Sequence, residues 1–404
     1  PHEVKTVTFA GKHLVIAPEK AAWIVTDEVG ACLTEALAAG ETMHRAVKSA
    51  SRRFGLDRET AALKLKALIT EMNLRNFRES ADTTSRDLES GGRNLQLFLT
   101  RACNLKCTHC YYSAGSRLDD ELSTEEWKGV IRRFARTGEG RAVTFTGGEP
   151  LMHPGFFELA EETAVQGLDT ILLTNGGLIR DRETAERLAD LVDIVQISLD
   201  GVTPEVNDRI RGKGSFEKVV NAARMLLAEK VNLEFTSVVL PENVDDLERN
   251  LTAFIESFQS DRLRYALAVA NPKGRLQGKS FDLRDSLVGR IITAAGNAPW
   301  LRTGGHRIGC RVFGCELAGS IVIDPEGNIG SCPYQNYTGP GNIRKGDLAL
   351  LARKDREWHR NKVAKSLKCR ECELRNFQCG GCKIYGECSD QIKLRNYYRM
   401  VYNR

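Results

Sequence analysis

The stretch Leu95-Gln96-Leu97-Phe98-Leu99-Thr100-Arg101-Ala102-Cys103-Asn104-Leu105-Lys106-Cys107-Thr108-His109-Cys110 decides how this 404-residue chain is read. Its first part is a short apolar run of strand character, and its last part is a loop with thiols at C-x3-C-x2-C spacing. A structural zinc site is normally closed by four ligands, whereas three thiolates can hold three irons of a four-iron cluster and leave the fourth open. An open iron points to catalysis. The loop also follows directly on a strand, which is where chemistry collects when that strand belongs to a parallel sheet.

Further strand-like runs follow at Ala142 to Thr146, Thr170 to Thr174, Ile194 to Leu199, Leu233 to Val239 and Leu263 to Val269. Amphipathic stretches such as Thr124 to Ala135 and Ser215 to Ala228 separate them. Six βα units in succession predict an α/β fold with a parallel sheet, open or partly closed into a barrel, because each helix can serve as the crossover that a parallel neighbour requires.

The composition sets the frame for this. With 42% apolar and 27% charged residues and a net charge of +5, the chain reads as an ordinary globular protein of several domains, too weakly basic to argue for nucleic acid. No apolar run approaches the ~18 residues of a membrane helix, and Pro1 to Ala10 lacks the layout of a signal peptide, so a cytoplasmic location and no membrane partner are expected. In a reducing compartment 12 cysteines call for metal or redox chemistry. They divide unevenly. Cys32 stands alone in an apolar-periodic run and is expected in the core. Cys103, Cys107 and Cys110 form the loop, and Cys310, Cys315, Cys332, Cys369, Cys372, Cys379, Cys382 and Cys388 crowd the last hundred residues. Cys369-x2-Cys372 and Cys379-x2-Cys382 also resemble the knuckles of a zinc ribbon.

Residues 1–85 read as three short strands, at Val7 to Ala10, Lys12 to Ala17 and Ala22 to Val25, then helices starting near Asp27, Glu41 and Asp57. This is a small winged-helix-like α+β pattern, so DNA binding has to be weighed. Residues 1–80 carry 12 Lys+Arg against 10 Asp+Glu with no basic stripe, which argues against it. Trp23 and Phe77 are expected in the core. The polar stretch from Ser80 to Arg93 reads as a linker. After Trp300 the chain turns Gly- and Cys-rich, with a strand pair expected around Ser320 to Ile323 and Asn328 to Ser331, and bound metal is the economical way to hold such a segment.

The cysteine loop and the segments that follow the next three strands resemble the radical S-adenosylmethionine (SAM) enzymes. The Cys103–Cys110 loop matches that family's cluster signature, and Thr146-Gly147-Gly148-Glu149-Pro150 after the second strand is similar to its GGE motif. Leu173-Thr174-Asn175-Gly176 and Ile197-Ser198-Leu199-Asp200-Gly201 after the third and fourth strands resemble further family segments. The resemblance implies a partial (β/α)6 TIM barrel over residues 86–300. It also implies a 4Fe-4S cluster on Cys103, Cys107 and Cys110, and SAM held by Gly147, Gly148 and Glu149, with Thr174 and Asn175 in the third-strand segment. Ser198 and Asp200 would lie near the methionine and ribose groups, Arg211 would meet the SAM carboxylate, and His109 would occupy the usually aromatic position beside adenine. Glycines in such a place let backbone approach a cofactor closely. The family outcome is reductive SAM cleavage to a 5'-deoxyadenosyl radical that abstracts hydrogen from carbon.

Residues 301–404 resemble the SPASM extension, which implies two auxiliary 4Fe-4S clusters, three clusters in all. By that resemblance Cys310, Cys315, Cys332 and Cys382 would hold one and Cys369, Cys372, Cys379 and Cys388 the other. Pro333-Tyr334 follows Cys332 where sulfatase-maturating relatives have an aspartate. Residues 1–85 resemble the leader-recognition domain of enzymes that modify ribosomally synthesised peptides, which bind a leader as an added strand. The strand at Ala22 to Val25 and the helix from about Glu59 to Leu74 would form that groove.

The expectation is therefore a peptide maturase acting on a precursor peptide with a leader and drawing electrons from a flavodoxin or ferredoxin. A thioether or carbon–carbon crosslink would be its product. The alternatives are the same chemistry, as oxidation or epimerisation, on another protein or a small molecule, and a zinc-ribbon scaffold or nucleic-acid binder without catalysis.

Overall fold

The structure is a computed structural model that describes residues 4–9, 11–17, 22–74, 93–138, 140–270, 273–278, 287–296, 298–302, 320–330, 341–351 and 354. The described residues fall into two compact units, 4–74 and 93–354. The eight cysteines of the C-terminal group lie outside the described residues, as do Phe77 and most of the Ser80–Arg93 stretch.

In the first unit β1 (Lys5–Phe9), β2 (Lys12–Ala17) and β3 (Ala22–Thr26) form an antiparallel sheet in the order β1-β2-β3. Three helices follow, α1 (Glu28–Ala38), α2 (Met43–Phe54) and α3 (Arg58–Leu74). The Asp27 and Thr42 side chains cap α1 and α2 by accepting from Gly30 N and Arg45 N. Val15, Ile24, Leu33, Ala46, Ala50, Leu65 and Leu68 share one core. Cys32 departs from the expectation, because α1 buries Gly30, Ala31, Leu33 and Thr34 and its phase leaves Cys32 half-buried. Trp23 is likewise only partly buried.

The second unit starts with β4 (Arg93–Thr100), α4 (Thr124–Ala135), β5 (Gly140–Gly147), α5 (Phe156–Val165), β6 (Asp169–Thr174) and α6 (Arg182–Leu191). It continues with β7 (Ile194–Ser198), α7 (Pro204–Arg211), α8 (Ser215–Ala228), β8 (Asn232–Val239), α9 (Val244–Glu256) and β9 (Leu263–Val269). The six strands β4 to β9 are parallel neighbours in chain order. After α10 (Leu287–Ala295), β10 (Leu301–Arg302) adds to β9, while β11 (Ile321–Ile323) pairs in parallel with β4 and in antiparallel with β12 (Ile329–Gly330). Residues beyond 300 thus extend the sheet on both edges.

One row of register partners, Ile323, Leu97, Phe145, Leu172, Val195, Leu233 and Leu263, crosses seven strands, and every member is buried. They join Trp127, Val130 and Phe134 of α4 and Phe156 and Leu159 of α5 in the main core. Gln96, Thr144, Gln196 and Glu234 alternate with these positions and are buried too, beside Phe98 and Ile171, so the other face carries polar side chains yet is shielded. A shielded polar face suits the interior of a partial barrel. No described helix is long and apolar enough to cross a membrane.

Candidate active site

The loop from Arg101 to Gly115 leaves β4 and closes on itself. Cys103 N donates to Gly115 O at 2.9 Å, and Gly115 N donates to Arg101 O at 3.0 Å. Thr108 N donates to Ile210 O in α7, and Glu121 accepts from Arg101 N and Leu118 N at the loop's base.

The GGE segment packs against this loop by backbone. Gly148 N donates to Thr100 O and Glu149 N to Ala102 O, both at 2.8 Å. Gly147 has φ +122°, and a Cβ there would sit 2.7 Å from Thr100 O, while one on Gly148 would run into Ala102 O. Among the described residues, what the missing side chains admit is the backbone leading into the cysteine loop.

Glu149 is fully buried and joins two strand ends. Its Oε1 accepts from Thr174 Oγ1 at 2.7 Å and its Oε2 accepts from Asn175 N at 2.8 Å. Burial pushes its carboxyl up against the pull of these donors. Asn175 Nδ2 in turn donates to Asn104 Oδ1 at 2.7 Å and lies 3.8 Å from Cys103 Sγ. The second and third strand motifs are therefore tied through Glu149 to the first cysteine.

The fourth strand's motif reaches the other end of the loop. Asp200, wholly buried, has Oδ2 2.6 Å from Arg211 Nε and 3.3 Å from His109 Nε2, and its Oδ1 accepts from Val238 N. Arg211 Nη1 lies 3.9 Å from Cys107 Sγ. Burial pulls the His109 imidazole below its ordinary range, and its Nδ1 has no hydrogen-bond partner among the described residues. Ser198, at the end of β7, is half-buried and stands in register with Thr236 of β8. The predicted residues of the barrel thus lie at the carboxyl ends of β4 to β7 or in the loops that follow them, except Arg211, which is the last residue of α7.

Three residues had no signal in the sequence. Asn207 Oδ1 accepts from Asp200 N, and Asn243 Nδ2 donates to both Asp200 O and Val238 O, so two buried amides fix the backbone under the carboxylate. Arg275 bonds the cysteine loop itself.

The donor set fits a four-iron cluster. Cys103 and Cys107 each have a side-chain N–H donor facing sulfur, and Leu105 N also donates to Cys103 Sγ at 3.4 Å. Burial, with Glu149 and the other thiols nearby, pushes the metal-free Cys103 thiol up to about 11, so a bound metal is what would hold it as thiolate. No three His, Cys, Asp or Glu side chains among the described residues converge as ligands of a single ion; thiolates on three different irons need not do so.

In the first unit a cavity of about 520 Å³ is lined by Met43, Val47, Arg58, Leu65, Lys66 and Ile69 of α2 and α3, rather than by β3.

Comparison with known proteins agrees with the barrel site. Residues 97–253 match the Radical SAM superfamily. The mycofactocin maturase MftC of Mycobacterium ulcerans (strain Agy99) is 31% identical over 311 residues, covering 72% of this chain and 80% of that protein. MftC of Mycobacterium tuberculosis (strain ATCC 25618 / H37Rv) is 33% identical over 311 residues, 72% of this chain and 75% of that protein. Among solved structures, Streptococcus suis SuiB bound to precursor peptide SuiA shares the fold, with a TM-score of 0.60 at 16% identity over 95% of this chain and 94% of that one. Relatives of this identity, matched over most of their own length, and a family match that spans the cysteine loop and its tied strand ends show that the chain belongs to the radical SAM superfamily.

Proposed function

We propose that this radical SAM enzyme is a peptide maturase that binds a ribosomally made precursor peptide through its leader and crosslinks side chains of the attached core. The observation that carries the radical chemistry is the three-thiol loop at the end of β4, with Asn175 and Arg211 facing two of its sulfurs. The peptide class is supported by the likeness to MftC over 72% of the chain.

The chemistry that a cluster and SAM held there would supply is one-electron reductive cleavage of SAM leading to hydrogen abstraction from the peptide. In this reading Cys103, Cys107 and Cys110 hold the iron. Asn175 and Arg211 donate toward thiolate sulfur, which lowers the cost of holding a charged cluster in a buried place. The Gly147–Glu149 backbone would meet the SAM amino group, and Arg211, beside Asp200, would meet the SAM carboxylate. Ser198 and Asp200 serve the methionine and ribose side, with His109 near adenine.

Residues 1–85 are the leader-docking domain, 86–300 the radical SAM barrel and 301–404 a SPASM domain in this proposal. β3 pairs in antiparallel with β2, and in this reading the leader is held as an added strand at that sheet, against α3. The eight cysteines from Cys310 to Cys388 would hold two auxiliary clusters that pass electrons received from a flavodoxin or ferredoxin in the cytoplasm. A thioether or carbon–carbon bond is the expected product.

The test is anaerobic incubation of the iron-loaded chain with SAM, reductant and the small peptide encoded beside its gene. Production of 5'-deoxyadenosine that rises with the peptide is expected. Peptide binding that is unchanged after residues 1–85 are removed would overturn the docking assignment.

A further inference from the structure

The segment after β9 carries a feature that neither the family motifs nor the mechanism uses. Arg275 Nη1 donates to Cys107 O at 2.9 Å, its Nη2 donates to Ala114 O, and its backbone N donates to Cys110 O at 3.0 Å. One residue thus takes three carbonyls of the loop, two of them on cluster ligands. Gly274 makes the approach possible: its φ is +59°, and a Cβ on it would collide with Cys110 O and Tyr111 O. On the far side Leu276 is buried with Ile210, Leu240 and Ala270, so the segment is anchored from behind.

We propose that Gly274 and Arg275 form a clasp that fixes the spacing of the three thiols and sets a fixed positive charge against the loop. The inference rests on the cluster assignment above. Arg275 is a positioning residue, since it touches the carbonyls of the ligand residues and not the iron. Its planar fork offers two separate nitrogens to the two carbonyls in a fixed geometry, which the single ammonium nitrogen of a lysine does not reproduce. Reduction adds negative charge to the cluster, so a nearby cation favours the reduced form, and removing it drives the potential more negative.

The test uses the full chain, purified anaerobically with its iron, as wild type, Arg275→Gln, Arg275→Lys, Gly274→Ala and the Cys103/Cys107/Cys110→Ala triple variant. The readout is the electron paramagnetic resonance signal that changes when SAM is added, together with its potential and its rate of loss to a chelator. Arg275→Gln should shift the potential negative and speed chelator loss by about tenfold, the usual effect of removing an outer-shell partner. Arg275→Lys keeps the charge without the fork, so its potential should stay near wild type while its loss remains fast. Gly274→Ala should speed loss with the guanidinium intact. Should Arg275→Gln fail to fold by circular dichroism, Arg275→Lys and Gly274→Ala carry the test. Wild-type potential in folded Arg275→Gln, or wild-type chelator resistance in the folded Arg275 variants and in Gly274→Ala, would overturn the clasp. A wild-type chain whose signal does not respond to SAM, like the triple variant, would instead overturn the cluster assignment beneath it.

Discussion

Asp200 Oδ2 stands 2.6 Å from Arg211 Nε with both side chains buried, and the same guanidinium lies 3.9 Å from Cys107 Sγ. Deleting one partner of a buried pair leaves the other charge stranded. Arg211→Met is therefore expected to destabilise the metal-free chain by about 3–5 kcal/mol, and Asp200→Asn/Arg211→Met together by less than the sum of the single changes. Guanidinium titrations of the four proteins measure this, and additive costs would contradict the coupling.

Gly148 is expected to tolerate no side chain, because a Cβ would strike Ala102 O, the carbonyl before the first cysteine. Gly148→Ala should lower both melting temperature and iron content, with the loop displaced from the strand end that sets its position. Iron analysis and thermal melting check it, and full iron content in a well-folded variant would contradict it.

Glu149 accepts from Thr174 Oγ1, Asn175 N and Leu151 N. An amide in its place turns an NH2 group toward one of these donors, so Glu149→Gln should cost about 1–3 kcal/mol. A denaturation midpoint equal to wild type would show that the carboxylate does not hold β5 and β6 together.

Glu126 binds Arg344 through Oε1 at 2.7 Å while closing the capping box of α4 with Ser123, so it ties residues 341–351 to that helix. The hydrogen bond from Arg344, with those from Ser123, lowers its carboxyl from 4.5 to about 2. A folded-state value below the unfolded one gives stability that is full above pH about 4.5 and lost as the pH falls toward 2. Both side chains are more than a third exposed, so the pair contributes at most about 1 kcal/mol. Wild type and Glu126→Gln should therefore differ modestly at pH 7 and converge in acid, and a difference that grows in acid would contradict the assignment.

The barrel was legible because each of β4 to β9 is a separate apolar run with its own crossover helix, and α4 and α8 begin and end where the periodicity put them. β10 and the pairing of β11 with β4 were not, since two- and three-residue strands carry little pattern and Ile321 and Leu95 are far apart in the chain. The site divides the same way. Cys103, Gly148 and Asp200 stand in motifs, whereas the bond from Arg275 to Cys107 O joins two loops by backbone carbonyl, which leaves no mark on residue type at the acceptor. The half-buried Cys32 shows the limit of periodicity, for a shift of one position along α1 decides between core and flank.

The most direct measurement of the central claim is mass spectrometry of the neighbouring peptide after anaerobic incubation with enzyme, SAM and reductant, beside the Cys103/Cys107/Cys110→Ala variant. The account predicts a SAM-dependent loss of hydrogen from the peptide, mapped to its core, with 5'-deoxyadenosine formed by the wild type and none by the variant. An unaltered peptide from an iron-loaded wild type, or 5'-deoxyadenosine from the variant, would contradict it.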